Sequence, residues 1–155
     1  GDNSEIVFGN SSLTSVESKI PHGSYKEETM QSTIVPNRNM IFLSYAIAYS
    51  ISNYIKEVWY GAHAGDHFIY PDCRPEFLNA MNVAAGLCDS SKIKIDAPFI
   101  SYTKGEIIKI GLDLNLDYSK AWTCYEGKQN PCGKCGSCVE RAEAFSDNNA
   151  IDPLI

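Results

Sequence analysis

Four of the six cysteines in this 155-residue chain fall within fifteen residues near its C-terminus. They are Cys124, Cys132, Cys135 and Cys138. Four thiolates at this spacing can surround one tetrahedral Zn²⁺, with each sulfur about 2.3 Å from the metal. Gly133 and Gly136 separate the last three thiols, and glycine permits the tight turns that aim successive sulfurs inward. Because four protein ligands leave no coordination position for water, we predict a structural zinc site.

Two other interpretations of the same cysteines remain open. The spacing Cys-x2-Cys-x2-Cys also occurs in proteins that bind iron–sulfur clusters. A disulfide framework would need an oxidising compartment, and the N-terminus shows no apolar signal core. Zinc is the interpretation that spacing and context favour.

Composition limits the class of protein. A length of 155 residues with 44% apolar content predicts a single domain over residues 1–155, with residues 122–145 as its zinc-binding subregion. A net charge of −6 weighs against a nucleic-acid partner. The apolar run from Met40 to Ile55 is shorter than the roughly 20 residues that span a bilayer, and it contains serines. We therefore expect a cytoplasmic protein with no membrane partner.

Hydrophobic periodicity gives a coarse order of elements. The pattern predicts an extended piece at 5–8, a buried helix at about 39–54, a strand at 57–61, a helix at 76–87, a strand at 92–95 and a short helix at 139–145. Thr103 and Glu106 form a capping-box sequence, which opens a further helix to about Leu112. Alternating helices and strands predict an α/β layer fold with a parallel sheet. Two or three strands are few for such a sheet, so we expect a partial one.

A polar loop follows the first strand, where ligands bind in parallel α/β sheets. Its candidate substrate-binding residues are His63, Asp66, Tyr70, Asp72 and Arg74. The two carboxylates could accept hydrogen bonds from an amine-bearing heterocycle, and an aromatic ring could stack on it. The alternative is a solvated loop with capping contacts. A metal site from His63 and His67 is disfavoured, because Gly65 and Pro71 make a helix doubtful there.

A second group of polar residues begins the first long helix. Arg38 and Asn39 stand where free helix amides and a guanidinium favour a phosphate or carboxylate. The alternative is that the asparagine caps the helix and the arginine pairs with a surface acid. Of the two cysteines outside the cluster, Cys88 is predicted to lie in the core, and Cys73 lies among polar residues. The sequence alone does not show which residue is the catalytic base.

Several segments, in order along nearly the whole chain, carry a resemblance to a known family. They are Ser11-Ser12-Leu13-Thr14, Tyr25 to Met30, Val35 to Met40, His63-Ala64-Gly65-Asp66, Tyr70 to Phe77, Ala97-Pro98-Phe99, Trp122 to Gly127, the cysteine loop through Ala142, and Asp152-Pro153. Together they resemble the 7-cyano-7-deazaguanine (preQ0) synthase family of queuosine biosynthesis. The segments Tyr70 to Phe77 and Cys124 to Cys138 are the most specific.

The resemblance implies a fold, an activity and ligands. It implies an adenine-nucleotide α-hydrolase-like fold, a homodimer and a structural zinc on the four cysteines. It implies a ligase that uses ATP with Mg²⁺ to convert 7-carboxy-7-deazaguanine and ammonia into the 7-cyano compound through carboxylate adenylation. At the matching positions, Arg38 would neutralise phosphate charge, and the loop from Asp66 to Arg74 would hold the deazaguanine.

One family feature has no counterpart in this sequence. The ATP-pyrophosphatase loop Ser-Gly-Gly-x-Asp-Ser, which cradles pyrophosphate, is not found. We therefore expect a fragment covering the C-terminal two-thirds of the pattern, a partner to a separate N-terminal chain, or a form without catalysis. The corresponding alternative function is a non-catalytic, zinc-stabilised deazapurine-binding protein. A thiolate-cluster module that binds RNA is a third hypothesis, which the acidic charge disfavours.

Overall fold

The computed structural model describes residue 9 and residues 11–15, 17–90 and 92–155. The extended piece expected at 5–8 lies outside the described residues. Helices are α1 (Glu27–Met30), α2 (Arg38–Ser52), α3 (Pro75–Cys88), α4 (Lys104–Asp113) and α5 (Gly136–Ser146). Strands are β1 (Glu57–Trp59) and β2 (Lys94–Asp96). Short 3₁₀ turns occupy Gln31–Thr33, Ala64–Asp66, Pro71–Cys73 and Tyr118–Lys120.

The chain divides into two compact units. The central unit is Asn37–Tyr102, and the terminal unit comprises the described parts of Gly1–Pro36 together with Thr103–Ile155. The single domain expected over residues 1–155 stays a prediction. No helix among the described residues is both long and apolar enough to cross a membrane.

The central unit is built on a two-stranded parallel sheet. Strands β1 and β2 pair in register through Val58 and Ile95, which are both buried. Helices α2 and α3 pack on these strands, and the buried core is Leu43, Ile47, Val58, Met81, Ala85, Ile93 and Ile95. Burying each of the larger aliphatic side chains contributes about 1.5–3 kcal/mol. The side chain of Asn82 ties α3 to β2, since its Nδ2 donates to the Ile95 carbonyl at 2.7 Å and its Oδ1 accepts from the Ile95 amide at 2.8 Å.

The elements of the central unit confirm the α/β expectation with two corrections. Helix α2 is not buried on most sides: Leu43 and Ile47 are buried, whereas Tyr45 is 77% exposed. One face of the helix packs on the strands, and a helix can be apolar beyond the face that it buries. Cys88 is also exposed rather than core, because it lies in the last turn of α3.

The terminal unit packs α4 against α5 through an aromatic contact. The rings of Tyr118 and Phe145 meet edge to face with centroids 5.2 Å apart, and Ile108 and Ala144 complete the cluster. Helix α4 opens with the expected capping box, in which Thr103 Oγ1 accepts from the Glu106 amide and the glutamate carboxylate accepts from the Thr103 amide.

An interior ion pair secures the C-terminal segment. Arg141 is 3% exposed, and its guanidinium donates to both carboxylate oxygens of Asp152. It also donates to the carbonyls of Tyr118 and Ala121, so its donors are used inside the protein. Burial opposes ionisation of Asp152, but the guanidinium outweighs it and lowers the pKa of this carboxyl.

Candidate metal centre and ligand pockets

The four clustered cysteines converge at the N-terminus of α5. Their Sγ atoms all lie within 4.8 Å of one another, and those of Cys132 and Cys138 are 4.0 Å apart. A tetrahedral zinc with bonds of about 2.3 Å requires sulfur–sulfur separations of about 3.8 Å. The donor set therefore fits a metal ion of this kind once the sulfurs draw together, by about 0.2 Å for Cys132 and Cys138 and by at most about 1 Å for any pair. All six cysteines are free thiols in the structure.

Backbone amides surround the sulfur of Cys132, the one ligand that is not fully buried. The amides of Lys134 and Cys135 donate to its Sγ at 3.3 and 3.2 Å. Desolvation raises the pKa of Cys132, but these hydrogen bonds outweigh it and lower the pKa to about 7. Burial instead raises the pKa of Cys138, so a bound cation would have to favour its thiolate.

The metal loop is held by a preceding segment of the terminal unit. His22 forms an antiparallel bridge with Cys135, and the Gly23 amide donates to the Lys134 carbonyl at 2.8 Å. Gly133 takes a φ of +66°, a conformation that glycine adopts without steric cost. These contacts help to shape the loop that carries the thiols.

The polar loop after β1 brings His63 close to Asp66 and to the backbone of Gly65. His63 is buried, its Nδ1 accepts from the Gly65 amide at 3.1 Å, and its Nε2 lies 3.4 Å from an Asp66 oxygen. Since Nδ1 is an acceptor, the proton belongs on Nε2, where it faces the carboxylate. His63, His67 and an aspartate do not form a metal-ligating group among the described residues.

Asp72 and Asn39, two of the proposed ligand-binding residues, bind each other. The Asn39 amide donates to Asp72 Oδ2 at 3.1 Å, and the Asn39 side chain donates to the Asp72 carbonyl at 3.1 Å. The carboxylate therefore satisfies a free amide in the first turn of α2. Arg74 donates from Nε to the His67 carbonyl at 2.6 Å and is exposed.

A pocket of about 360 Å³ lies in the central unit at the carboxyl end of β1. Its polar lining residues are Arg38, Asn39, Tyr60, Asp66 and Cys73. Of the five substrate-binding candidates, Asp66 is therefore the one that lines this pocket. Tyr70 is buried with the Arg38 guanidinium 5.9 Å from its ring centre, so it orients a lining residue.

Sequence reasoning missed Tyr60 and the burial of Cys73. The hydroxyl of Tyr60 is buried without a hydrogen-bond partner among the described residues. Desolvation, followed by the charges of Cys73 and Asp72, raises the pKa of this phenol to about 12. Desolvation, followed by Asp66 and Asp72, raises the pKa of Cys73 to about 12. Tyr60 lies just after a strand, where ligands bind in parallel α/β sheets, and this position could have identified it from the sequence.

A second and larger cavity, about 770 Å³, lies in the terminal unit. Its lining includes Ser12 and Glu126, from two segments that carried the family resemblance. The sequence pattern predicts no ligand for this cavity.

Fold and site together define an α/β protein with a small parallel sheet and a four-thiolate centre suited to a metal ion. Residues 4–149 match the family described as "Queuosine biosynthesis protein QueC". The chain belongs to this family, which confirms the resemblance identified from the sequence.

Its relatives are enzymes named 7-cyano-7-deazaguanine synthase. The chain is 53% identical over 148 residues to that of Marinomonas sp. (strain MWYL1), covering 96% of this chain and 67% of the relative. It is 51% identical over 151 residues to the enzyme of Marinobacter nauticus, and the match covers 97% of this chain and 67% of the relative. It is 53% identical over 148 residues to the enzyme of Pseudoalteromonas atlantica, and the match covers 96% of this chain and 67% of the relative. The family is thus one of biosynthetic enzymes, and the names of the relatives support synthesis of 7-cyano-7-deazaguanine.

Proposed function

We propose that this chain catalyses formation of 7-cyano-7-deazaguanine from 7-carboxy-7-deazaguanine and ammonia, with ATP and Mg²⁺ as the activating co-substrate. The observation that carries the proposal is 53% identity to a 7-cyano-7-deazaguanine synthase over 96% of the chain. The same name on the other relatives favours this enzyme over a non-catalytic deazapurine-binding protein.

The chemistry requires two activations of one carbon atom. A carboxylate oxygen is a poor leaving group, so it first attacks the α-phosphorus of ATP, forming an acyl adenylate and releasing pyrophosphate. Ammonia adds to the acyl carbon, AMP departs with the C–O electron pair, and a proton is lost to give the amide. A second ATP adenylates the amide oxygen with release of pyrophosphate, and loss of AMP and of both protons on the nitrogen leaves the nitrile. No electrons are gained or lost overall.

The central pocket supplies groups suited to the nucleotide phosphates. Arg38 lines it, with its guanidinium carbon 5.9 Å from the centre of the Tyr70 ring, and a guanidinium presents N–H donors whose geometry suits phosphate oxygens. Asn39 lines it too, but its amide and side chain are already held by Asp72. We therefore assign phosphate binding mainly to Arg38, with the Asn39–Asp72 pair keeping the helix start in place.

We also propose roles for Asp66 and for the thiolate centre. Asp66 is the member of the predicted substrate loop that the pocket geometry supports, with His63 as its hydrogen-bonded neighbour. The thiolate centre would hold a structural Zn²⁺, which fixes the start of α5. The fold type is proposed to be adenine-nucleotide α-hydrolase-like, and the working form is proposed to be a homodimer.

The direct test uses the protein purified from its own source in whatever assembly it forms. It is incubated with 7-carboxy-7-deazaguanine, ammonium and MgATP, and nitrile and AMP are followed by mass spectrometry. We expect both products to accumulate, and Asp66→Asn to reduce the rate by about 100-fold or more if the carboxylate contacts reacting groups. Asp113→Asn, an exposed carboxylate on α4, is the matched control. Binding of the substrate without any AMP or nitrile would refute the proposal.

A further inference from the structure

Tyr60 is anchored at the carboxyl end of β1, where it lines the central pocket of about 360 Å³. Its amide donates to the Asp96 carbonyl at 3.0 Å, which continues the pairing of β1 with β2 beyond Trp59. Its ring packs against the apolar core of the central unit. Backbone and ring together therefore hold the hydroxyl in place beside the pocket.

The hydroxyl of Tyr60 is buried and has no hydrogen-bond partner among the described residues. Buried polar groups in folded proteins are nearly always paired, and leaving one unpaired costs the free energy of its desolvation. A phenylalanine would fill the same space without this cost, so the hydroxyl does not stabilise the described part of the chain. A partner supplied by a ligand in the pocket accounts for its presence.

Three polar side chains of the pocket lining suit three different kinds of ligand atom. Arg38 is the cation for an anionic oxygen, and the Asp66 carboxylate accepts from N–H groups. Tyr60 stays neutral, because desolvation, followed by the charges of Cys73 and Asp72, raises the pKa of its phenol to about 12. In a pocket that also holds a carboxylate, a neutral O–H donor suits an uncharged acceptor, such as a ring carbonyl, better than a second anion.

One edge of 7-carboxy-7-deazaguanine presents the matching groups. A ring carbonyl stands next to a ring N–H, and the exocyclic amine follows. We propose that Tyr60 is a specificity-determining residue, whose hydroxyl donates to this ring carbonyl while Asp66 accepts from the adjacent N–H groups. This assignment rests on the proposed function and deepens it, because it names the residue that selects a heterocycle with a carbonyl at that position.

The test compares two probes that differ in one atom. They are 7-carboxy-7-deazaguanine and its thiocarbonyl analogue, which keeps the ring N–H and the amine but presents sulfur, a weaker acceptor. Titration calorimetry measures their binding to the protein in the assembly that it forms. The unaltered protein should prefer the carbonyl probe. Tyr60→Phe should weaken that probe about three- to tenfold and the thiocarbonyl probe by less than about twofold, as loss of one neutral hydrogen bond implies.

Kinetics provide a second measurement of the same contact. Tyr60 would contact the ring edge and not the reacting carboxylate, so its hydrogen bond is the same in the ground state and in the transition state. Tyr60→Phe should therefore raise KM for 7-carboxy-7-deazaguanine by the factor seen in binding and leave kcat unchanged.

Tyr118→Phe is the matched control, since it removes the same atom from a hydroxyl that is paired. Tyr118 lies in the terminal unit, and its hydroxyl donates to the Ile108 carbonyl at 3.1 Å. Its loss should lower the melting temperature and leave the affinity for both probes unchanged. Tyr60→Phe should show the opposite pattern, with a melting temperature equal to or above that of the unaltered protein.

The outcomes separate this assignment from the proposed function. If the unaltered protein forms the nitrile but binds both probes equally, or if Tyr60→Phe keeps the preference for the carbonyl probe, the assignment is wrong and the function stands. A Tyr60→Phe variant that melts earlier and loses both probes equally would make Tyr60 a structural residue and overturn the assignment. Failure of the unaltered protein to bind the heterocycle would overturn both.

Discussion

Arg141 and Asp152 form a two-point ion pair in the interior of the terminal unit, with Nε–Oδ2 and Nη2–Oδ1 distances of 2.6 and 2.8 Å. The pair joins α5 to the C-terminal segment, and the same guanidinium reaches the carbonyls at Tyr118 and Ala121. Both side chains are nearly inaccessible to solvent, at 3% and 6% exposure. Such a pair keeps its strength because water cannot screen it.

Removing one partner should leave the other buried and uncompensated. We expect Asp152→Ala to lower the free energy of unfolding by about 3–5 kcal/mol, measured by urea titration. Asp113→Asn breaks the exposed pair with Lys109 and should change it by less than about 1 kcal/mol. Equal losses in the two variants would contradict the assignment of the interior pair as a stabilising contact.

The same pair predicts a dependence of stability on pH. The pKa of Asp152 is lowered in the folded state, so its contribution is present above the unfolded pKa of about 3.9 and is lost as the pH falls through the folded value. The difference in unfolding free energy between the unaltered protein and Asp152→Asn should therefore be constant near neutral pH. It should shrink below about pH 4. A difference that grows on acidification would refute this sign.

The four-thiolate centre predicts one zinc per chain. Cys138→Ser should lose the metal and lower the melting temperature by several degrees, because the ion joins the loop to the start of α5. Elemental analysis and thermal melting measure the two effects. Cys88→Ser removes an exposed thiol outside the cluster and is the matched control. An iron–sulfur chromophore in the protein purified without oxygen would contradict the zinc assignment.

The two isolated cysteines should differ in reactivity. Cys88 is exposed, whereas Cys73 is buried with its pKa raised to about 12, so very little Cys73 thiolate is present at pH 8. Alkylation with iodoacetamide, followed by peptide mass spectrometry, should label Cys88 first by a wide margin. Labelling of Cys73 should accelerate as the pH is raised. Faster modification of Cys73 at neutral pH would show that the pocket exposes its sulfur.

Two helical glycines should respond to alanine in opposite directions. A Cβ at Gly111 would collide with the Tyr118 hydroxyl, so Gly111→Ala is expected to cost about 1–3 kcal/mol of unfolding free energy. A Cβ at Gly86 in α3 meets nothing within 4 Å, so Gly86→Ala should stabilise by up to about 1 kcal/mol. Urea titrations of both variants provide the comparison. A neutral Gly111→Ala would indicate that Tyr118 can move aside.

Features that depend on near neighbours in the chain were predictable. The capping box of Thr103 and Glu106 forms as its three-residue spacing requires, and the clustered cysteines meet because short glycine-containing turns leave them few other arrangements. The main helices and both strands also lie where periodicity placed them, with ends displaced by one to three residues at most positions.

Features that depend on distant partners were not predictable. Asp72 accepts from the Asn39 amide 33 residues away, a contact that no local pattern reveals, and its assignment to a ligand stays a prediction. Cys88 was predicted to lie in the core but is exposed, since burial depends on what packs over a residue. The terminal-unit cavity is lined by Ser12 and Glu126, which lie far apart in the sequence, so no single motif predicts it.

The Asn82 side chain determines where the sheet of the central unit can grow. Lys94 and Asp96 direct their backbone groups toward β1, which leaves Ile95 facing the opposite edge of β2. There the primary amide of Asn82 occupies both the N–H and the C=O of Ile95, imitating the peptide group of a neighbouring strand. The outer edge of β2 is thereby closed to strand addition at its centre, which also guards it against edge-to-edge aggregation. Any further strand of this sheet has to add alongside β1.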